Sequence, residues 1–588
     1  MAKFFKSLLL TVIGSIITAI FIVLIFVAII AGIAASGDKV VKVEENTLLT
    51  IDLDKVIKER TVSDPLAELF GESPFGQKEI GLNIILENIK KAKRDDKIVG
   101  IYLKAGVPQA GYATLNEIRN ALIDFKKSGK FIYAFAPIYT QKGYYLASTA
   151  TKVYMPPQGL LEYKGLSSQR TYFKGALESL GIEMQIFKHG KFKSAVEPFI
   201  LDHMSEPAKE QTIKYTGSIW NHVLNGISDS RGVSVDSLNI LADQMPMFSE
   251  NKIFEDYNLV DGLLYKDEVL AEVKELTDTE LEEDIVQVSL TDYDFVYLPK
   301  ETKGLVKDKI AVIYAEGEID GGSDKGIDSE KLSKTIRDAR TDKSIKAVVL
   351  RINSPGGSGM GSDIIWREVK LCKETKPVIV SMGDLAASGG YYIACAADTI
   401  VANPVTLTGS IGVFGMIPNM KKLMNKKLGI TFDGVKTNKF ADIPTVTRPF
   451  NKEEKAVFQA SVERFYDVFI SRCAEGRNTS TQAIDEVGQG RVWSGENAVD
   501  LNLVDVMGGI DTAIEIASEK AGLENYRIKE LPEQLSPLEE ILKGMQNEAK
   551  AFVGQTFLGI NYEEVKLINS VKQIKPIQAR LPYELELN

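Results

Sequence analysis

The chain is short of the residues from which most hydrolytic and redox centres are built. Its 588 residues include three histidines and three cysteines. His189, His203 and His222 all lie in the first half, and no Ser, His, Asp order with a recognisable local context accompanies them, so a histidine general base is not expected. Cys372, Cys395 and Cys473 lie far apart with no C-x-x-C spacing, which excludes a disulfide framework and, with so few histidines, a zinc site. Cys395, inside the apolar YYIACAA, reads as a small core residue. A basic excess is also missing. The net charge of -10 argues against nucleic acid as a partner.

What is present begins at the N-terminus. Lys3 and Lys6 precede an uncharged, largely apolar run from Ser7 to Ala35, long enough to cross a bilayer and too long for an ordinary signal-peptide core. It reads as an uncleaved anchor, cleavage near Ala34 and Ala35 being the alternative. The flanking lysines put the N-terminus in the cytoplasm and the rest of the chain on the outer side. No later segment is apolar enough to span again.

The remaining length is enough for two or more domains, and it repeats itself. A shift of 247 residues lays Ile85 to Gly165 over Leu332 to Gly412 without a gap. Ile85, Ile89 and Ala92 fall on Leu332, Ile336 and Ala339, one apolar helix face. The strand Ile98 to Leu103 falls on Ile345 to Leu350, and Gly143, Tyr144 and Tyr145 fall on Gly390, Tyr391 and Tyr392. The expectation is two duplicated α/β domains of strand-helix units. Residues 37–265 form the first and 305–588 the second, with an acidic junction over 266–304 and a stub with the anchor over 1–36. Leu535 to Lys550 looks amphipathic.

Chemistry is sought where the halves differ. In the second half the apolar Val378 to Val380 runs into Gly383, Ala386, Ala387, Ser388, Gly389 and Gly390 ahead of a helical stretch. Such a turn presents Ser388 and a few backbone amides at a helix N-terminus, a setting that suits a nucleophile with an oxyanion site. Taken alone, AASGG is equally an ordinary close-packed turn. The first half has Gln141 opposite Ser388, and Gln109 and Ala110 opposite Gly356 and Gly357. Conversely, Lys193 in FKHGKFKSAVEPF falls on Phe440 or Ala441, neither of which can act as a base. Taken alone, Lys193 is a solvated lysine in a basic run. One half keeps the serine and the other the lysine, the complementary loss that a single shared site would produce.

Ser388 within MGDLAASGGYY, the downstream LTGSIGVFG, the NSPGG turn and Lys193 within KFKSAVEPF together resemble the signal peptide peptidase A family in its long, duplicated form, also called protease IV. The resemblance covers essentially the whole chain. It implies tandem ClpP/crotonase-like domains after a single N-terminal transmembrane helix, Ser388 as nucleophile and Lys193 as general base. Ser410 would hold the lysine amine, and Gly389 with Gly356 or Gly357 would supply oxyanion amides. It implies no metal or cofactor, apolar signal peptides as substrates, and a homotetramer on the outer, periplasmic face of the inner membrane. Glu197, four residues after Lys193, should point elsewhere, since an ion pair would keep the amine charged. Three other readings share parts of this pattern: a crotonase-type acyl-CoA enzyme, an inactive membrane scaffold, and a broader membrane-protein quality-control protease.

Overall fold

Helices and strands recur at the 247-residue offset seen in the sequence. Leu82–Arg94 and Tyr112–Lys126 return as Ser329–Thr341 and Gly359–Lys373, and the strands beginning at Ile98, Phe131 and Lys152 return at Ile345, Val378 and Thr399. The computed structural model describes residues 41–61, 79–298, 306–322, 326–534 and 577–580, with isolated positions between 6 and 21. The apolar run Ser7 to Ala35 lies mostly, and Leu535 to Lys550 wholly, outside the described residues. Among the described residues no helix is long and apolar enough to cross a membrane.

Each half is built on a parallel sheet. In the first, the strand order is Gly262–Leu263, Lys152–Met155, Phe131–Phe135, Ile98–Lys104, Thr47–Asp52, Gln287–Ser289, all parallel. In the second, Leu407–Gly409, Val378–Ala387, Ile345–Ser354, Lys309–Glu316 and Arg527–Leu531 run parallel, and Val492–Ser494 closes one edge antiparallel. The helices between strands are amphipathic in the expected way. Leu82–Arg94 buries Leu82, Ile85, Leu86, Ile89 and Ala92, the stripe of a 3.6-residue period.

The acidic stretch 266–304 does more than join the halves. It contributes the helix Lys266–Leu276, which buries Val269 and Val273 one turn apart, and the strand Gln287–Ser289 at the edge of the first sheet. Its acidic residues Asp267, Glu268 and Glu275 lie on the exposed side of that helix.

The strand Lys309–Glu316 is apolar on both faces, as a parallel strand covered on both sides must be. Ala311, Ile313 and Ala315 enter the core of the second half, whereas Ile310, Val312 and Tyr314 enter a core shared with the first. Each fully buried Val or Ile contributes about 1.5–3 kcal/mol, so the halves are joined by a common interior rather than by a hinge. A further four-stranded sheet crosses between them: Gly356–Ser358, Ile577–Arg580, Val413–Asn419 and, from the first half, Glu183–His189.

Candidate active site

Ser388 stands where the strand Val378–Ala387 gives way to the helix Gly389–Ala394. Its backbone has φ 56° and ψ -113°, a conformation that costs a residue with a side chain about 1–3 kcal/mol. The surroundings impose it. The Ser388 N–H donates to Gly409 O at 2.8 Å, and its own carbonyl accepts the Tyr392 N–H at 2.9 Å. Small neighbours are required, because a Cβ on Gly390 would lie 2.7 Å from Ser354 O in the NSPGG turn.

Lys193 reaches this serine from the other half. It follows Glu183–His189, which pairs with Val413–Asn419 through seven residue pairs and so fixes the approach of the loop. Lys193 Nζ lies 2.8 Å from Ser388 Oγ, 3.0 Å from Ser410 Oγ and 3.1 Å from Ser410 O. All three side chains are 0% exposed. Burial alone, with no carboxylate contributing, holds the Lys193 pKa well below its usual value. A neutral amine has two N–H donors and one lone pair. Two donors for the Ser410 oxygens and a lone pair for the Ser388 hydroxyl account for the three contacts.

Glu197 takes no part. Its carboxylate accepts the Ser205 hydroxyl at 2.6 Å and the Ser205 N–H at 3.2 Å, at the start of the helix Glu206–Arg231. The histidines are elsewhere as well: His189 stacks on Tyr466, His203 is exposed beside Asp202, and His222 contacts Asn116 Oδ1 at 3.3 Å. Among the described residues no cluster of His, Cys, Asp and Glu could hold a metal ion. Cys372, Cys395 and Cys473 are free and buried.

Gly389 opens its helix, so its N–H has no partner within that helix. The NSPGG turn lies alongside, with φ 98° at Gly356 and 153° at Gly357. A Cβ on Gly357 would fall 2.2 Å from Ile319 O, which leaves glycine as the only residue that fits. The Gly356 N–H donates to Ser354 Oγ at 3.1 Å.

Two supporting residues carry no motif and escaped sequence reasoning. Gln211 Nε2 donates to Phe192 O at 3.0 Å and to Ser194 Oγ at 3.1 Å, while its Oε1 accepts the Val492 N–H at 3.0 Å; it braces the lysine loop against the second half. Gly490 lets that loop approach, since a Cβ there would sit 2.7 Å from the Lys193 backbone. The neighbouring GQGR turn was the available signal for Gly490. For Gln211, inside a polar helix, there was none.

The corresponding place in the first half is filled. Gln141 Oε1 accepts the N–H groups of Lys164 and Gly165 at 3.1 and 3.0 Å, and Nε2 contacts Tyr112 OH and Gly165 O. Phe440 and Ala441, the positions that match Lys193, lie on an exposed loop of the second half.

Comparison with known proteins gives matches along most of the chain. The model of peptidase family S49 matches residues 124–280 and 370–524, once in each half. Protease 4 of Salmonella typhi is 36% identical over 497 residues, which is 83% of this chain and 79% of that protein. The chloroplastic serine protease SPPA of Arabidopsis thaliana is 33% identical over 552 residues, 92% of this chain and 78% of that one. Among solved structures, a ClpP1 mutant from Listeria monocytogenes aligns with 34% of this chain and 94% of its own, at 16% identity and a TM-score of 0.24.

Proposed function

We propose, from the premise that the chain belongs to peptidase family S49 and is a serine protease, that it hydrolyses peptides with Ser388 as nucleophile and Lys193 as general base. The observation that carries this reading is the 2.8 Å contact between a fully buried amine and the hydroxyl on a strained turn. Ser388 Oγ attacks the peptide carbonyl while its proton passes to the lone pair of Lys193. Ser410 holds the amine so that the lone pair faces Ser388. The Gly389 amide and the Gly356–Gly357 turn receive the developing oxyanion. Lys193 then gives the proton to the leaving amine, and water repeats the sequence on the acyl-enzyme. A positioned base contributes about 10²–10⁴-fold and each oxyanion donor about 10²–10³-fold. For the base to work near neutrality its pKa must fall from about 10.4 to about 7–8, and complete burial without a carboxylate is the force that lowers it.

In this reading the lysine-bearing domain spans residues 37–265 with the helix and strand that follow, and the serine-bearing domain spans 305–588. The run Ser7 to Ala35 anchors the protein in the inner membrane with both domains on the outer side. Its substrates are apolar peptides at that surface, above all released signal peptides, bound extended.

The repeat also supports an assembly of identical chains. Shifted by 247 residues, the ladder between Glu183–His189 and Val413–Asn419 would join Ile430–Lys436 to Leu166–Tyr172, yet neither segment is a strand within one chain. Ile430, Phe432 and Val435 are exposed, as are Met360 and Ile364 on the helix that repeats Tyr112–Lys126. A second copy supplies the missing partner, and head-to-tail repetition that closes makes a ring, for which the family resemblance implies a homotetramer.

The test is hydrolysis of a labelled signal peptide by wild type, Ser388→Ala and Lys193→Ala at equal, verified folding. Loss of turnover in each variant is expected. Substantial activity in Lys193→Ala would overturn the base assignment.

A further inference from the structure

The loop that carries Lys193 docks on a turn of the second half to which the mechanism gives no role. Gly488, Gln489, Gly490 and Arg491 follow the helix Thr481–Val487, and Gln489 has φ 52°, a conformation uncommon for a residue with a side chain. Three backbone hydrogen bonds spread from this turn. Gln489 O accepts the Phe192 N–H at 2.9 Å, the Gly490 N–H donates to Ile411 O at 2.7 Å, and Arg491 O accepts the Ser410 N–H at 2.7 Å. One turn therefore sets both the lysine loop and the serine that holds the amine. The Arg491 guanidinium lies over the Phe192 ring, 4.5 Å from its centroid, and adds a cation–π contact to the same junction.

Tyr466, on the helix Lys452–Gly476, holds this turn. Its hydroxyl donates to Asp485 Oδ1 and accepts the Gln489 N–H at 3.2 Å, and Asp485 also accepts from Gln489 Nε2. The His189 ring, at the end of the strand that leads into the lysine loop, stacks on the Tyr466 ring with centroids 3.8 Å apart. Tyr466 is buried, and burial, then the bond to Asp485, raise its pKa, so the hydroxyl keeps its proton. The repeat separates this role from a purely structural one. Aligned on the serines that cap the next helices, Ser480 and Ser234, Tyr466 falls on Trp220 and Asp485 on Asn239. Trp220 Nε1 donates to Asn239 Oδ1 at 3.0 Å, so the tie between the two helices is common to both halves. An indole N–H only donates, whereas a phenol donates and accepts. What the second half gains with tyrosine is an acceptor, and that acceptor serves the turn on which the Lys193 loop docks.

We infer that Tyr466 is a positioning residue for Lys193: its hydroxyl, oriented by Asp485, fixes the Gln489 turn and so keeps the amine within reach of Ser388 and Ser410. The inference rests on the roles proposed above for Ser388, Lys193 and Ser410. Tyr466 acts through the turn and not on the peptide. Its loss therefore affects the chemical step and leaves peptide binding nearly intact.

The experiment compares the full chain with Tyr466→Phe, which keeps the ring on His189 and removes the hydroxyl, and with Trp220→Phe, which breaks the equivalent helix tie in the first half. All are assayed on an internally quenched peptide, well below the lowest melting temperature of the three. Tyr466→Phe should lower kcat about tenfold, the order of one lost hydrogen bond, with KM within about twofold of wild type. Trp220→Phe should keep both within about twofold. Unchanged kcat in Tyr466→Phe, or an equal fall in Trp220→Phe, overturns the inference, because either result leaves the tyrosine a structural tie. A measurement free of chemistry separates it from the protease assignment: amide exchange by mass spectrometry over residues 190–194 and 409–412, in Ser388→Ala with and without Tyr466→Phe. Faster exchange there, with no hydrolysis by any form, supports the hold on the lysine loop and sinks the protease assignment. Hydrolysis with neither a lower kcat nor faster exchange in the phenylalanine variant sinks the positioning role alone.

Discussion

Asp384 caps a helix that belongs to the other half of the chain: its Oδ2 accepts the Thr114 hydroxyl at 2.7 Å, and its Oδ1 accepts the N–H groups of Ala113 and Thr114 at 2.9 and 3.1 Å. The helix Tyr112–Lys126 starts at Gly111, which has no side chain to cap it and where a Cβ would fall 2.2 Å from the Asp384 carboxylate. Ser388 is only four residues further along the strand that carries Asp384. The cap thus ties the strand leading into Ser388 to the half that supplies Lys193. Asp384→Ala should cost about 0.5–2 kcal/mol in denaturant unfolding. It should also lower kcat more than it raises KM, because the proposed nucleophile and base come from opposite sides of this contact. An unchanged kcat would mean that the cap serves stability only.

Arg351 holds the same interface from within. Its guanidinium donates to Glu59 Oε2 and Glu117 Oε1, both at 2.7 Å, and to Ser381 Oγ at 2.9 Å, with the arginine and both glutamates buried. Glu59 also accepts from Asn353, the first residue of the NSPGG turn, and Glu117 accepts the Ile510 N–H. Removing the cation strands two buried carboxylates, so Arg351→Met should lose about 3–5 kcal/mol at pH 7. Burial already raises the Glu117 pKa despite Arg351, and without the arginine it rises further. Between the ordinary carboxylate range and that raised value the folded state binds more protons than the unfolded one, so stability increases as pH falls through this window. The deficit of Arg351→Met should therefore shrink from pH 7 to pH 5 in urea titrations. A deficit independent of pH would show that packing, not charge, is what the substitution removes.

These two contacts mark where the sequence stops being informative. The repeat made the elements legible because apolar periods survive duplication, and the complementary loss of Ser388 and Lys193 pointed to two side chains that meet between the halves. Nothing in the sequence around Arg351 names Glu59 or Glu117, hundreds of residues away. The acidic stretch after Lys266 masked a helix whose buried face consists mainly of Val269 and Val273. Ile577–Arg580 has almost no strand signal of its own; pairing with Gly356–Ser358 and Val413–Asn419, not propensity, makes it a strand.

Gln141 shows what the first half puts at the position that corresponds to Ser388. It fills that place with hydrogen bonds to the backbone of Lys164 and Gly165. Gln141→Ser leaves those buried groups unmatched and should cost about 1–3 kcal/mol. It should not create activity. In a Ser388→Ala background the double variant should stay inert on every peptide, since among the described residues no buried amine faces position 141. Recovered turnover would mean that another base serves the first half.

Lys193→Met offers the sharpest sign test, because it should destroy activity and raise stability together. Activity should fall at least about 10²–10⁴-fold, the contribution of a general base. For stability, the lysine pKa is lowered in the folded protein from an unfolded value of about 10.4. Between those two values the unfolded chain binds more protons than the folded one, so wild-type stability rises with pH across that window. Below the unfolded lysine value the wild type carries the cost of burying an amine that water would keep charged, and methionine removes it. The Tm of Lys193→Met should exceed that of wild type at pH 7, with the gap closing as pH climbs towards the unfolded lysine value. Over the same range wild-type kcat/KM should rise through the lowered pKa, as the neutral amine becomes available to take the Ser388 proton. Calorimetry at several pH values from 7 to 10 checks the stability half of this. A variant less stable than wild type at pH 7 would show that Lys193 is charged in the folded protein, and a charged amine could not accept that proton.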